Sequence, residues 1–299
     1  MSGDNRASGR SPALISIIIP AKDAATVIPI QLAAIAAQDS AVPFEVIVAD
    51  NGCADRTIAV AESFDDRLPA LRVVPAADRP GGNHARNVGA RAAAGDLLVF
   101  VDADDEVVGG WLSSLVEAAR DADIVGGPTD TTTLNPPWSH AARLVDSAAG
   151  LPVAMDFLPY VLAGNCAMWS DVFEAIGGWD ERYVAGGDEV ALSWRAQLAG
   201  RVLGFAPDAV VRYRFRSTVA GQCKQMYRYG WADARLYHDF RADGAPPGDT
   251  RAFLSEVGWL LVHLPDLVVN RTRRARWLRK CSWRAGRLMG SVHHRVWFP

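Results

Sequence analysis

The chain lacks any apolar run long enough to cross a bilayer, which takes about 20 residues. Its best candidate, residues 260–269, is short and is interrupted by His263, Pro265 and Asp266. Cysteine is scarce. Cys53, Cys166, Cys223 and Cys281 are far apart and have neither metal nor redox spacing. Reduced thiols in a cytosolic protein are the simplest expectation. The polar start lacks an apolar core of the kind a secretion signal needs, so residues 1–12 read as a short disordered lead. Internal repeats are absent, as is any linker that would separate independent domains. Acid is missing from the last segment: residues 270–299 hold nine of the 31 Lys and Arg and no Asp or Glu. The other 269 residues therefore carry 22 basic against 34 acidic groups, so the net charge of −3 hides a body at −12. A basic tail on an acidic body points to an anionic partner surface. What remains is ordinary: 299 residues, 49% hydrophobic and 22% charged, enough for one large domain or two small ones.

The most informative stretch is Val99-Phe100-Val101-Asp102-Ala103-Asp104-Asp105. An apolar run suited to a strand covered on both faces ends in three carboxylates. Carboxylates crowded at a strand end repel one another unless a cation lies between them. Hard divalent cations prefer oxygen ligands, and Mg²⁺ is usually held by one or two carboxylates plus phosphate oxygens. A metal–diphosphate site is one reading; an acidic turn capping the helix near Trp111 is the other.

Upstream, residues 14–19 form an apolar strand that Pro20 should stop, and residues 44–49 and 71–74 form two more. Helices are expected over 25–38, with Pro29 in the first turn, over 55–64 with Asp55 as cap, and after Gly81-Gly82. Helix 111–120 and a short strand at 124–125 follow. This alternation predicts an α/β fold with a parallel sheet. Pro20-Ala21-Lys22-Asp23, Asp50-Asn51 and Asp102 to Asp105 then share one sheet edge, where a nucleotide would lie. Farther on, Ser170 should cap a helix over 171–176. Gly186-Gly187-Asp188-Glu189 opens a helix over 190–199, strands are expected at 202–205 and 209–213, and a long aromatic helix at 218–238.

Five stretches together resemble a family 2 glycosyltransferase with the GT-A fold. They are Ser16 to Ala21; Glu45 to Gly52; Ala85-Arg86-Asn87-Val88-Gly89 with Gly95-Asp96; Asp102-Ala103-Asp104; and Gly177-Gly178-Trp179-Asp180-Glu181 with Asp188-Glu189. The likeness covers roughly 14–240. It implies a mostly parallel sheet flanked by helices over 13–240, with a Rossmann-like nucleotide-binding half and an acceptor-binding half. Residues 241–299 would be a basic, aromatic helical extension. It further implies an inverting transfer of a sugar, of hexose type, from a nucleoside diphosphate sugar to a hydroxyl acceptor, lipid-linked acceptors included.

By the same resemblance, Pro20, Ala21, Asp50 and Asn51 would face the base and ribose. Arg86 would reach the nucleotide or its phosphates. Asp102 and Asp104 would be the ribose-phosphate and metal pair, with Asp104 on Mg²⁺ or Mn²⁺ and Asp105 as a rival ligand for Asp102. Glu189 would be the general base, with Asp188 as its rival, because the family's Glu-Asp order is reversed here. A His that many relatives carry after the strand near Val211 is replaced by Arg212-Tyr213-Arg214. Arginine is a poor metal ligand but can contact a diphosphate. Trp194, Arg195, Gly164 and Asn165 resemble positions near the donor sugar and acceptor, although a core tryptophan is the default.

Two other readings stay open. One is a catalytically degenerate relative that binds sugar nucleotides or a membrane. The other is a sugar-nucleotide pyrophosphorylase, disfavoured because residues 20–25 contain no glycine. The mixture of Arg with Trp277, Leu278, Trp283, Leu288, Met289, Trp297 and Phe298 suits an anionic membrane surface. The expected place is the cytoplasm, peripheral on the inner face of the plasma membrane. Nucleic acid is disfavoured as a partner by the acidic body.

Overall fold

The computed structural model describes residues 9–68, 70–142, 147, 149–184 and 186–299. The first half alternates β1 (Ile15–Ala21), α1 (Ile28–Ala36), β2 (Phe44–Asp50), α2 (Thr57–Glu62), β3 (Leu71–Pro75), α3 (Gly82–Ala92) and β4 (Leu97–Val101). There follow β5 (Glu106–Val107), α4 (Trp111–Ala118), β6 (Ile124–Gly126), β7 (Thr129–Asp130), β8 (Val153–Ala154), β9 (Leu158–Pro159), β10 (Asn165–Trp169) and α5 (Ser170–Ala175). The rest comprises α6 (Asp188–Leu198), β11 (Leu203–Phe205), β12 (Val211–Arg212), α7 (Val219–Phe240), α8 (Thr250–Val262), α9 (Asp266–Val269) and α10 (Arg271–His294).

The main sheet has the order β11-β6-β10-β4-β1-β2-β3. β4, β1, β2 and β3 run parallel, so the carboxyl ends of β1, β2 and β4 share one edge as expected. β10 enters antiparallel between β4 and β6, pairing Asn165 with Val101. Its amino end therefore also arrives at that edge. Every residue of β4 is buried, consistent with its unbroken apolar sequence. Two local expectations fail. β1 does not stop at Pro20 but continues to Ala21, pairing with Ala49 and Asp50 of β2. The β4 ladder ends at Ile18, so the proline falls where only one neighbour remains to be paired. Ser170 is not a cap but the first residue of α5, after an uncapped Trp169. Pro29 does lie in the first turn of α1.

The expected lead lies outside the described residues through residue 8. From Gly9 the chain is attached: Gly9 N donates to Arg120 O, and Arg10 stacks 3.9 Å over Trp169 while bonding Asp171.

Much of the carboxyl-terminal region is helical, up to His294. α10 lies along α7 at unusually close range. A Cβ on Gly230 would meet the Trp283 carbonyl oxygen at 2.0 Å, and one on Gly286 the Tyr227 carbonyl oxygen at 2.0 Å. Only glycine permits that backbone approach. α8 has no buried residue, and no helix among the described residues is long and apolar enough to cross a membrane.

Candidate functional site

The edge formed by β4 and β10 borders a cavity of about 1130 Å³, lined by residues that include Arg86, Asp102, Asp105, Asp188, Glu189 and Tyr229. That is at or above the upper end of ordinary small-ligand sites and accommodates an extended ligand or two ligands together.

Asp102, Asp104 and Asp105 follow β4 directly, and each presents an oxygen within 4.8 Å of the others. Gly164, just before β10, passes so close that a Cβ there would meet Asp102 Oδ2 at 2.8 Å. Gln31 of α1 fixes the backbone, its Nε2 donating to Asp102 O and its Oε1 accepting from Val107 N. Each carboxylate has a protein donor. Arg86 Nη2 donates to Asp102 at 2.8 Å, Arg216 Nη1 to Asp104 at 3.2 Å, and the Arg214 amide to Asp105 at 2.8 Å. Burial and the Asp102 charge raise the Asp104 pKa above the usual carboxylate range. Asp105, 1% exposed, is pushed well above it by burial and then by Asp102 and Asp104. Three carboxylates gathered within 4.8 Å suit a divalent cation, whose charge would relieve their mutual repulsion.

The second carboxylate pair opens α6. Gly186 and Gly187 adopt positive φ, 109° and 75°, and at Gly186 a Cβ would strike the Tyr229 ring at 2.6 Å. This turn places Asp188 and Glu189 in the helix's first turn, on the cavity wall. Arg86 joins the two acidic groups: its Nη1 lies 3.4 Å from Asp188 and also donates to Asn83. Burial opposes the charge of Arg86, but Asp102 and Asp188 outweigh it and raise its pKa. Arg86 is thus a buried bridge rather than a surface ion pair. Glu189 is held well above the usual carboxylate range by burial and then by the Asp188 charge. A carboxyl raised in this way holds its proton more tightly than an exposed one.

α3 fixes the loop that leads to α6. Asn87 Nδ2 donates to Trp179 O and to Glu181, and its Oδ1 accepts from Trp179 N. His84 contacts Glu181 with one ring nitrogen and Asp78 with the other. Asn87, Trp179 and Glu181 were visible in the sequence only as parts of motifs, and His84 and Asp78 were not singled out at all.

Other expected residues fall differently. Pro20, Ala21, Asp50 and Asn51 sit at the ends of β1 and β2, outside the residues lining the cavity. Asp50 Oδ1 accepts from the Gly52 and Cys53 amides, the turn its sequence suggests. Asn51 is spent on backbone, donating to Ala76 O and Arg79 O and accepting from Gly81 N. Arg212 pairs with Glu106 at 2.8 Å, away from the acidic trio. Besides Arg86 at Asp102, Arg216 pairs with Asp104 of the trio, and sequence reasoning missed it. Trp194 is core, 0% exposed, with Phe157 and Phe240 edge-on to it. Arg195 donates to Ile176 O and Gly178 O. Asn165 is consumed by Pro128 O, Ala209 O and the Trp111 indole.

The Glycosyl transferase family 2 model matches residues 16–177, and the Glycosyl transferase family group 2 model matches residues 97–293. A glycosyltransferase of Haloferax volcanii, AglE, is 30% identical over 201 residues, 66% of this chain and 65% of that protein. The chain spans 17% and 33% of two longer curated relatives. Among solved structures, the mannosyltransferase PcManGT of Pyrobaculum calidifontis, in complex with GDP-Man and Mn²⁺, superposes with a TM-score of 0.59 at 19% identity, covering 93% of this chain and 88% of that one. S. aureus TarS residues 1–349, in complex with UDP-GlcNAc, superposes at 0.54 and 15% identity, covering 95% and 93%. The fold is the GT-A fold.

Proposed function

The chain belongs to glycosyl transferase family 2, and on that premise we propose that it transfers a sugar from a nucleoside diphosphate sugar to a hydroxyl acceptor, with inversion. One observation carries this reading: Arg86 bridges Asp102 of the acidic trio and Asp188 of the second pair on a single cavity wall. Leaving-group and nucleophile chemistry would therefore meet at one point.

Asp104, with Asp102 or Asp105, would hold Mg²⁺ or Mn²⁺. Bound there, the ion would neutralise the departing nucleoside diphosphate as a Lewis acid. Arg86 and Arg216 keep positive charge on either side of the trio. Pro20, Ala21, Asp50 and Asn51 would border the base and ribose at the neighbouring strand ends. Glu189 would accept the proton of the acceptor hydroxyl as that oxygen attacks the anomeric carbon. Asp188, tied to Arg86, keeps Glu189 basic by its charge and stands as the alternative base.

Residues 13–240 would form the transferase unit and 241–299 an extension that closes its cavity. α8, α9 and the turn between them expose Leu261, Val262, Leu264 and Val268, and a basic run starts at Arg271. This pairing supports peripheral docking on an anionic membrane surface, the inner face of the plasma membrane.

The test is binding and slow hydrolysis of a panel of UDP-, GDP- and dTDP-sugars, with and without Mn²⁺, on wild type and Asp104→Ala. The expected result is metal-stimulated release of one nucleoside diphosphate, reduced about 10²-fold or more in the variant. No binding of any donor would overturn the assignment. Binding without release in the presence of a matched acceptor would favour a catalytically degenerate relative.

A further inference from the structure

The cavity continues past Glu189 to α7, α8 and α10, where basic side chains outnumber acidic ones. Building on the transferase reading, we propose that this far end binds a phosphate group carried by the acceptor, with Arg279 of α10 as its principal ligand.

Arg279 lines the cavity and is 4% exposed. Its Nη1 donates to the side-chain oxygen of Gln222 at 2.7 Å. Its Nη2 is buried and has no hydrogen-bond partner. No carboxylate pairs with it among the described residues. Its neighbours on α10 differ. Arg273 and Arg276 pair with Asp266, Lys280 and Arg284 with Glu256, and Arg287 faces Asp233 at 3.8 Å. Arg279 alone in this group is both deeply buried and without an acid.

Removing a cation from water without a counter-charge is among the least favourable placements a fold can make. Such groups persist where a ligand supplies the missing partner. Burial pushes the Arg279 pKa below the usual guanidinium value, with only the Cys223 thiol opposing it. Lys224 and Arg228, one turn apart on α7, also line the cavity and are exposed, without ion pairs among the described residues. All three cations line the one cavity, two exposed and one a buried fork. A guanidinium fork matches phosphate oxygens in geometry and charge. Since Glu189 lines the same cavity, a phosphate anchored at Arg279 would belong to the molecule whose hydroxyl Glu189 deprotonates. The acceptor class is therefore a phosphate ester that also carries a hydroxyl or sugar.

The experiment measures binding of citronellyl phosphate, glycerol 3-phosphate and inorganic phosphate to the full chain by calorimetry and by Tm shift, with and without a nucleotide sugar. Citronellol and glycerol are the uncharged controls. At least one ester should bind and raise Tm. Arg279→Met should weaken that binding tenfold or more, leave nucleotide-sugar binding unchanged, and raise the ligand-free Tm by relieving the unpaired charge. Preference for citronellyl phosphate would assign a lipid headgroup, and preference for glycerol 3-phosphate a polyol phosphate.

Equal ester binding by wild type and Arg279→Met would overturn the proposal. So would a wild type that binds neither ester more tightly than inorganic phosphate. Should Arg279→Met fail to fold, the exposed double variant Lys224→Ser/Arg228→Ser decides: weaker ester binding supports the site, and unchanged binding refutes it. Ester binding without nucleotide-sugar binding would leave the anion site standing while the transferase reading failed; the converse would reject the anion site alone.

Discussion

The two ends of the cavity face opposite electrostatic problems and meet them differently. At the sheet edge, three carboxylates are crowded together, yet each has a donor from Arg86, Arg216 or the Arg214 amide. At the α7–α10 end, Arg279 is buried with only an amide oxygen for company. The acidic end is provisioned at rest, so a cation arriving at Asp104, as proposed, would compete with Arg216. The basic end is left short of one anion. A group compensated by protein can serve many turnovers with little distortion, whereas an uncompensated one reports a partner the chain does not contain.

The strongest way to break this comparison is to remove Glu189, the proposed proton acceptor, which lines the same cavity. Glu189→Gln should lower kcat about 10³-fold, with donor binding unchanged, because general-base catalysis is typically worth 10²–10⁴. Steady-state transfer with the matched donor and acceptor checks this. A loss below tenfold would move the role to Asp188.

The next largest effect concerns the frame of the basic end. In Gly286→Ala the new Cβ meets a backbone carbonyl oxygen at 2.0 Å, which no side-chain rotation can relieve. Overpacking of this kind costs about 1–3 kcal/mol or more. Tm should fall by several degrees, and any binding at Arg279 should weaken more than nucleotide-sugar binding. Equal losses at both sites would mean that the α7–α10 seam supports the whole cavity rather than its basic end.

A smaller effect separates the two carboxylates of α6. The Glu189 pKa is raised first by burial and then by Asp188. Replacing Asp188 by Asn removes the second cause and keeps the first. The acid limb of the kcat profile should therefore move to lower pH in Asp188→Asn, towards the usual carboxylate range without reaching it. An unmoved limb would show that the two groups do not share one field.

These differences also show what the sequence could disclose. Alternating apolar runs and helices made the parallel strands legible, and with them the shared edge of β1, β2 and β4, because buried parallel strands are written as unbroken apolar segments. The antiparallel entry of β10 was hidden, since an apolar run around Gly164-Asn165 reads the same in either direction. Asp102, Asp104, Arg86, Asp188 and Glu189 could be named as candidates because each lies in a local motif. Arg216 was missed because it reaches Asp104 from more than 100 residues away. Arg279 looked like one more solvated arginine in a basic tail. The available signal was the glycine pair Gly286 and Gly290, four apart on one helix face, which lets α10 approach α7 closely enough to cover it.

The mildest probe lies beside Arg287. Burial pushes the Asp233 carboxyl up to about 6, against the opposing charges of Arg287 and Arg284 and the Trp283 hydrogen bond. Its ordinary value is 3.8. Between those values the folded chain keeps a proton that the unfolded chain has lost, so stability falls as pH rises. The contribution is complete below pH 3.8 and gone once pH has passed about 6. Asp233→Asn imitates the protonated form, accepts the same Trp283 bond and does not titrate. Its Tm advantage over wild type should be greatest near pH 7 and close to nil near pH 4. An advantage independent of pH would place the cost of Asp233 in packing. A disadvantage growing with pH would mean that the ionised carboxylate is wanted by Arg287 and Arg284, and that the basic end is more fully compensated than Arg279 implies.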